Sequence, residues 1–161
     1  MLRCLTSLDL EAVIGLDHLA LGGWWSPAQY QEELQKSHTL FVGFPQESAL
    51  LSMAAAWLIL DEAHIVLLAV HPAHRGKGLG RLTLNYLIQQ FPPTISHITL
   101  EVRSQNSIAL HLYQSLGFVI LGRRPHYYQN PEDDALILWR RHEFGVSGFR
   151  IGDFRNTPEL S

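Results

Sequence analysis

The sequence predicts a mixed α/β domain, a mostly antiparallel sheet flanked by helices, and three observations predict it. Two segments of helical spacing open the chain. Three apolar runs separated by short polar breaks follow, and after a basic, glycine-rich loop helices alternate with strands.

Leu8 to Leu21 places Leu8, Ala12, Leu16, Leu19 and Ala20 at helical spacing, with Asp9, Glu11, Asp17 and His18 between them, the pattern of an amphipathic helix. Gly22-Gly23 breaks it. Ser26-Pro27 then supplies an N-cap and a first-turn proline for a second helix to about Gln35. From His38 the texture changes to strands: Thr39 to Phe44, Ala49 to Leu60 and Ala63 to Val70. Their breaks, Pro45-Gln46-Glu47-Ser48 and Asp61-Glu62, suit hairpins better than crossovers, so this part of the sheet is expected to be antiparallel.

After Pro72 and the glycines, Leu79, Leu82, Leu84, Leu87, Ile88 and Phe91 mark a helix closed by Pro92-Pro93. His97 to Val102 alternates as a strand. Asn106 is a good N-cap for a helix from Ser107 to Ser115, Gly117 ends it, Phe118 to Leu121 reads as a short strand, and Ala135 to Trp139 as the last one. The stretch from His142 to Ser161 has no firm periodicity, so the domain is expected over 1–141 with a tail at 142–161.

A chain of 161 residues that is 47% hydrophobic and 17% charged suits one domain with a real core. Its formal charge of -3 gives no global field that would draw it to phosphate backbones, and direct binding of nucleic acid is not expected. Cys4 has no second cysteine to pair with, and the N-terminus lacks a basic region followed by an apolar stretch, so the cytoplasm is the expected address. The longest apolar run, Ala49 to Leu60, falls short of the roughly 20 residues that span a bilayer, and no membrane partner is expected. Nothing in the composition fixes an oligomeric state.

Strand, Pro72, basic glycine loop and helix together form a unit able to hold an anion, because the free N–H groups of a first helical turn converge on one point. Gly76, Gly78 and Gly80 let the backbone approach closely, and Arg75, Lys77 and Arg81 offer counter-charge. An ordinary helix entry is the plain alternative. A P-loop would need Ser or Thr after Lys77, where Gly78 stands, and glycine at position 71, which is His71. A dinucleotide fingerprint would need glycine at position 81, which is Arg81, and Glu101 at a tempting ribose distance does not offset the hairpin-length breaks before the loop.

The stretch Val70-His71-Pro72-Ala73-His74-Arg75-Gly76-Lys77-Gly78-Leu79-Gly80 resembles the acetyl-coenzyme A signature of the GCN-type (GNAT) N-acetyltransferase superfamily, Arg/Gln-x-x-Gly-x-Gly/Ala, at all three pattern positions. The resemblance implies that fold, with a parallel strand pair at the cofactor site, and acetyl-coenzyme A as co-substrate. It implies that the amides of Arg75 to Arg81 hold the pyrophosphate, and that Leu68, Ala69 and Val70 pair with the pantetheine arm. Leu100 to Phe118 is similar, nearly position by position, to the RimI-type branch, which acetylates the N-terminal alanine of a small-subunit ribosomal protein. Trp25-Ser26, Tyr127-Tyr128 and Asp134-Ala135 extend the similarity over roughly residues 1–141, while Trp24 stands where that branch usually has proline.

Acetyl transfer to an amine needs a neutral amine, a polarised thioester carbonyl and a proton for the departing thiolate. Glu101, at the end of a strand, is either a solvated carboxylate or the base, and the resemblance implies the base. Tyr113, in mid-helix, is either a core aromatic or the acid that protonates the sulfur, and the resemblance implies the acid. The oxyanion falls to a backbone N–H near Ala69 or Val70, since Leu67 to Val70 carry no side-chain donor. Asn106 can cap its helix and also touch the cofactor arm. Tyr127, Tyr128, Trp24 and Trp25 are either core or walls of a peptide groove.

His71 and His74 form an H-x-x-H pair without further ligands, so no metal is expected, and no serine sits in a G-x-S-x-G elbow. The expected reaction is acetylation of a protein N-terminal α-amine, that of a ribosomal protein. A small amine or a lysine as acceptor, and a non-catalytic module that binds coenzyme A, are the alternatives.

Overall fold

The computed structural model describes residues 1–143, and positions 144–161 of the expected tail lie outside the described residues. The architecture is the expected mixed α/β one: seven strands, mostly antiparallel with one parallel pair, and helices that flank them. The chain divides into two compact units, Met1–Ile59 with Ala63–Phe91, and Leu60–Glu62 with the chain from Pro92 onward.

The first unit holds β1 (Arg3–Cys4), α1 (Leu10–Ala20), α2 (Pro27–Gln35), β2 (Thr39–Gln46), β3 (Ala49–Ile59), nearly all of β4 (Glu62–Val70), and α3 (Leu79–Gln89). β2 pairs antiparallel with both β1 and β3. The break expected at Pro45 to Ser48 is only Glu47-Ser48. β2 runs on through Pro45 because the register shifts between Phe44 and Pro45, and a bulge tolerates the missing N–H. Ser52 to Ala56 of β3 are all buried, since both α1 and α3 pack on that strand. An uninterrupted apolar run is what a strand covered on both faces requires.

The face of the first helix differs from the expectation. A short 3-10 turn, Ser7–Asp9, precedes α1, capped reciprocally by Thr6 and Asp9. This start turns Leu8 and Leu19 outward, 95% and 60% exposed; Leu16 is buried as expected, together with Val13 and Asp17, which were not. Asp17, expected on the polar side, is 1% exposed. Its Oδ1 accepts from the Tyr30 hydroxyl at 2.8 Å and from the Trp24 N–H at 2.9 Å, which makes the burial tolerable. In α2, Ser26 caps as expected, and the buried Glu33 accepts from Lys36 Nζ, Thr39 Oγ1 and Trp57 Nε1 at 2.8, 2.8 and 2.9 Å.

The second unit holds β5 (His97–Arg103), α4 (Ser107–Ser115), β6 (Val119–Tyr128) and β7 (Asp133–Arg141). β7 lies between β5 and β6 and is antiparallel to both. β6 also departs from the expectation. It runs ten residues, not the four expected from Phe118 to Leu121, because it is mostly exposed and so shows no period-two burial in its sequence. Register shifts between Ile120 and Gly122 and between Arg124 and Tyr128 break the alternation further.

Candidate active site

The residues expected on the cofactor side, Asn106 apart, belong to the first unit. β4 alternates strictly, with Leu67 and Ala69 buried and Leu68 and Val70 half-buried on the other face. His71 follows, and its N–H donates to the Leu51 carbonyl at 2.8 Å, fixing the end of the strand. His71 Nδ1 accepts from the Ala73 N–H at 3.1 Å, so the His71/His74 pair serves a capped turn, with the two rings edge-on at 5.4 Å. Among the described residues no group of three or more His, Cys, Asp or Glu is placed to hold a metal ion.

Arg75 Nε donates to the Val70 carbonyl at 3.3 Å, which folds the loop back on the strand it leaves. This contact adds to the counter-charge and loop roles that the sequence gives Arg75. Gly76 and Gly78 have φ of +76° and +80°, a region that side chains with a Cβ rarely adopt, and a Cβ at either position would meet nothing within 4 Å. Gly78 is the N-cap of α3 and provides no side-chain cap; the first intrahelical bond runs from the Leu82 N–H to the Gly78 carbonyl at 3.1 Å. The N–H groups of Leu79 and Gly80 thus precede that bond, at a helix N-terminus flanked by the exposed cations Arg75 and Lys77. An open approach, left-handed glycines and uncapped amides fit a pyrophosphate. Arg81, one residue on, is also exposed.

Glu101 and Tyr113, the residues expected to move protons, belong to the second unit. Glu101 sits on β5 opposite Ile137 of β7, and its side chain is 19% exposed. It is not a bare carboxylate. The phenol of Tyr127 interacts with it, and this interaction, ahead of burial, holds Tyr127 above its ordinary range. Arg124 Nη1 lies 3.6 Å from Glu101 Oε1. Tyr113 on α4 is buried with its ring edge-on to Phe118 at 5.8 Å, and burial pushes its phenol well up, so it stays a neutral donor. Burial and then the charge of Glu101 push Tyr128 up to about 12, and Tyr128 in turn raises Tyr113.

Asn106 caps α4, its Oδ1 accepting from the Ala109 N–H at 3.2 Å, which leaves its amide nitrogen as a donor. Trp25 is in the aromatic core, stacked on Trp57 at 6.3 Å and edge-on to Tyr30 at 5.2 Å, while Trp24 is 47% exposed.

Sequence reasoning missed Arg103 and Arg124. Arg103 reaches from β5 to the β6–β7 turn, donating to the Pro131 and Gln129 carbonyls at 2.7 and 3.2 Å, with its guanidinium 4.4 Å from the Tyr128 ring centroid. Asp133 braces the same turn, accepting from Ser104 Oγ at 2.5 Å and the Gln105 N–H at 3.2 Å. The available signal was the alternation of β5, which puts Arg103 on the face of Glu101.

The profile of the Acetyltransferase (GNAT) family matches residues 10–118. An uncharacterized protein of Mycobacterium leprae, ML0378, is 35% identical over 142 residues; the match covers 84% of this chain but only 39% of that protein. The [ribosomal protein bS18]-alanine N-acetyltransferase of Escherichia coli K12 is 31% identical over 137 residues, 83% of this chain and 92% of that one. The crystal structure of the E. coli ribosomal-protein-S18-alanine N-acetyltransferase superposes with a TM-score of 0.81 at 28% identity, covering 93% of this chain and 98% of that one. With a family match over more than half its length and a relative above 30% identity across most of both chains, the chain belongs to the acetyltransferase (GNAT) family.

Proposed function

We propose that this protein transfers the acetyl group of acetyl-coenzyme A to a protein N-terminal α-amine, and that its acceptor is the N-terminal alanine of a small-subunit ribosomal protein in the cytoplasm. One observation carries the reading. One compact unit carries both a strand-borne carboxylate, Glu101 on β5, and a buried neutral phenol, Tyr113 on α4, the base and the acid that the transfer needs. The names of the E. coli relative and structure support the acceptor.

Bound acetyl-coenzyme A supplies the acetyl thioester. The amides of Leu79 and Gly80, with Arg75, Gly76, Lys77, Gly78 and Arg81, hold its pyrophosphate. Leu68, Ala69 and Val70 offer strand backbone to its arm, Asn106 donates its free amide N–H to it, and a backbone N–H near Ala69 or Val70 meets the oxyanion. Glu101 takes the proton that the amine nitrogen sheds as it attacks the thioester carbonyl, directly or through water. As the new C–N bond forms and the C–S bond breaks, Tyr113 gives its proton to the leaving sulfur. An α-amine, with a reference pKa near 8, gives up its proton about a hundredfold more readily than lysine near 10.4, so one carboxylate suffices.

The test is the position of the product. A peptide with a free N-terminal alanine and an internal lysine is incubated with acetyl-coenzyme A and mapped by mass spectrometry. Acetyl on the α-nitrogen supports the reading; acetyl on lysine alone makes this a side-chain acetyltransferase.

A further inference from the structure

Glu101 and Arg124 contact one another with a whole strand, β7, between their own. The register shows how. Glu101, Ile137 and Gly122 form one row across β5, β7 and β6, and Arg103, Ala135 and Arg124 form the next. Residues directly opposite in antiparallel strands share a face. Ala135 and Gly122 are small, so the Arg124 side chain can lie diagonally over β7 toward Glu101. Its guanidinium also stands 5.7 Å from the ring centroid of Tyr127.

The other charged groups on this part of the unit have different partners. Arg103 serves the carbonyls of Pro131 and Gln129, Asp133 accepts from Ser104 and Gln105, and Arg123 pairs with Asp134 at 2.6 Å. Tyr127 and Tyr128 remain neutral phenols. Among the described residues of this unit, Arg124 is therefore the cation paired with the charge of Glu101.

We propose that Arg124 is a specificity-determining residue: by pairing with Glu101 it cancels the attraction of the base for cationic acceptors, so that the acceptor amine engages Glu101 as the neutral species. The inference deepens the proposed function and rests on it. An isolated carboxylate would stabilise an ammonium beside it and hold it in the unreactive form. A balanced pair does not. Since an α-amine is neutral far more often than a lysine at neutral pH, such a filter favours N-termini. Lysine in place of Arg124 keeps the charge and preserves the filter.

The test uses two competitive inhibitors of the full chain: an Ala-Arg peptide whose N-terminal nitrogen is trimethylated, hence permanently cationic, and its neutral isostere with carbon in place of that nitrogen. In the wild type the two bind within a few-fold of one another. In R124Q the cationic peptide gains on the order of tenfold over the neutral one, the worth of one uncompensated neighbouring charge. R124K restores the wild-type ratio. A wild type that already prefers the cation tenfold, or an R124Q that leaves the ratio unmoved, overturns the inference; the wild-type ratio decides even if R124Q does not fold. If the wild type fails to acetylate the free N-terminus at all, the proposed function falls first, and this inference with it.

Discussion

Arg103 Nη1 donates to the carbonyl of Pro131 at 2.7 Å, so a side chain two residues from Glu101 anchors the turn that follows Tyr127 and Tyr128. This bond and its partner to Gln129 make the tyrosine-bearing end of β6 a fixed part of the β5 edge. R103A should raise the KM for the peptide acceptor by roughly tenfold, the cost of losing one charge-assisted contact, and leave the KM for acetyl-coenzyme A unchanged. R103K should recover part of the loss, because lysine lacks the planar fork. Steady-state kinetics with each substrate varied in turn reads the split; an equal rise in both constants contradicts the role.

Much of the site was legible because its chemistry sits in short, punctuated segments. The glycine loop is bounded by Pro72 and a helix, and Asn106 and Gly117 mark the two ends of α4, so Tyr113 could be placed on a helix before any coordinates. What surrounds Glu101 was not legible. Arg124 and Tyr127 reach it only through the β5–β7–β6 order, a non-local pairing, and β6 hides its length behind an exposed, bulged sequence. Asp17 failed for a different reason. Its hydrophilic side chain argued for solvent, and only Tyr30, thirteen positions away, supplies the hydroxyl that lets it be buried.

The buried pair itself is testable. Tyr30→Phe removes the hydroxyl that donates to Asp17 and leaves a carboxylate oxygen short of a partner in the core. Stability should fall by about 1–3 kcal/mol, measured by urea unfolding, with turnover unaffected in the folded fraction. A variant as stable as the wild type would show that the Trp24 N–H alone suffices for Asp17.

Glu33 gives a pH dependence. Burial alone would raise its carboxyl, but hydrogen bonds from Lys36, Thr39 and Trp57 outweigh that and hold it below its ordinary value of 4.5. With the folded value depressed, the stabilisation is complete above the unfolded value and is lost as pH falls through the folded one. Glu33→Gln should therefore narrow the stability difference from wild type below pH of about 4 and show its full deficit at neutral pH. Urea midpoints across that range test it; a deficit independent of pH would refute the ionic account.

Gly78, at φ +80°, is the N-cap of α3. Gly78→Val forces a β-branched residue into a conformation costing roughly 1–2 kcal/mol and puts bulk where the pyrophosphate approaches. Acetyl-coenzyme A should bind more weakly by tenfold or more in calorimetry, with acceptor binding spared. Unchanged cofactor affinity would remove the loop from the binding site.

The proton-transfer pair makes the largest prediction. Glu101→Gln and Tyr113→Phe should each lower kcat by something on the order of 10² to 10⁴, while acetyl-coenzyme A still binds. Burial raises the Tyr113 phenol above its ordinary 10.0, so its protonated form persists to higher pH and no alkaline loss of rate from this group is expected below about pH 10. Wild-type turnover in both variants would remove them from the chemistry.

The central claim is tested most directly by release of coenzyme A thiol from acetyl-coenzyme A, with a peptide beginning Ala-Arg set against its N-blocked twin. Turnover with the free N-terminus and none with the blocked peptide is the predicted result. Equal turnover on both, or turnover only where a lysine remains free, would contradict it.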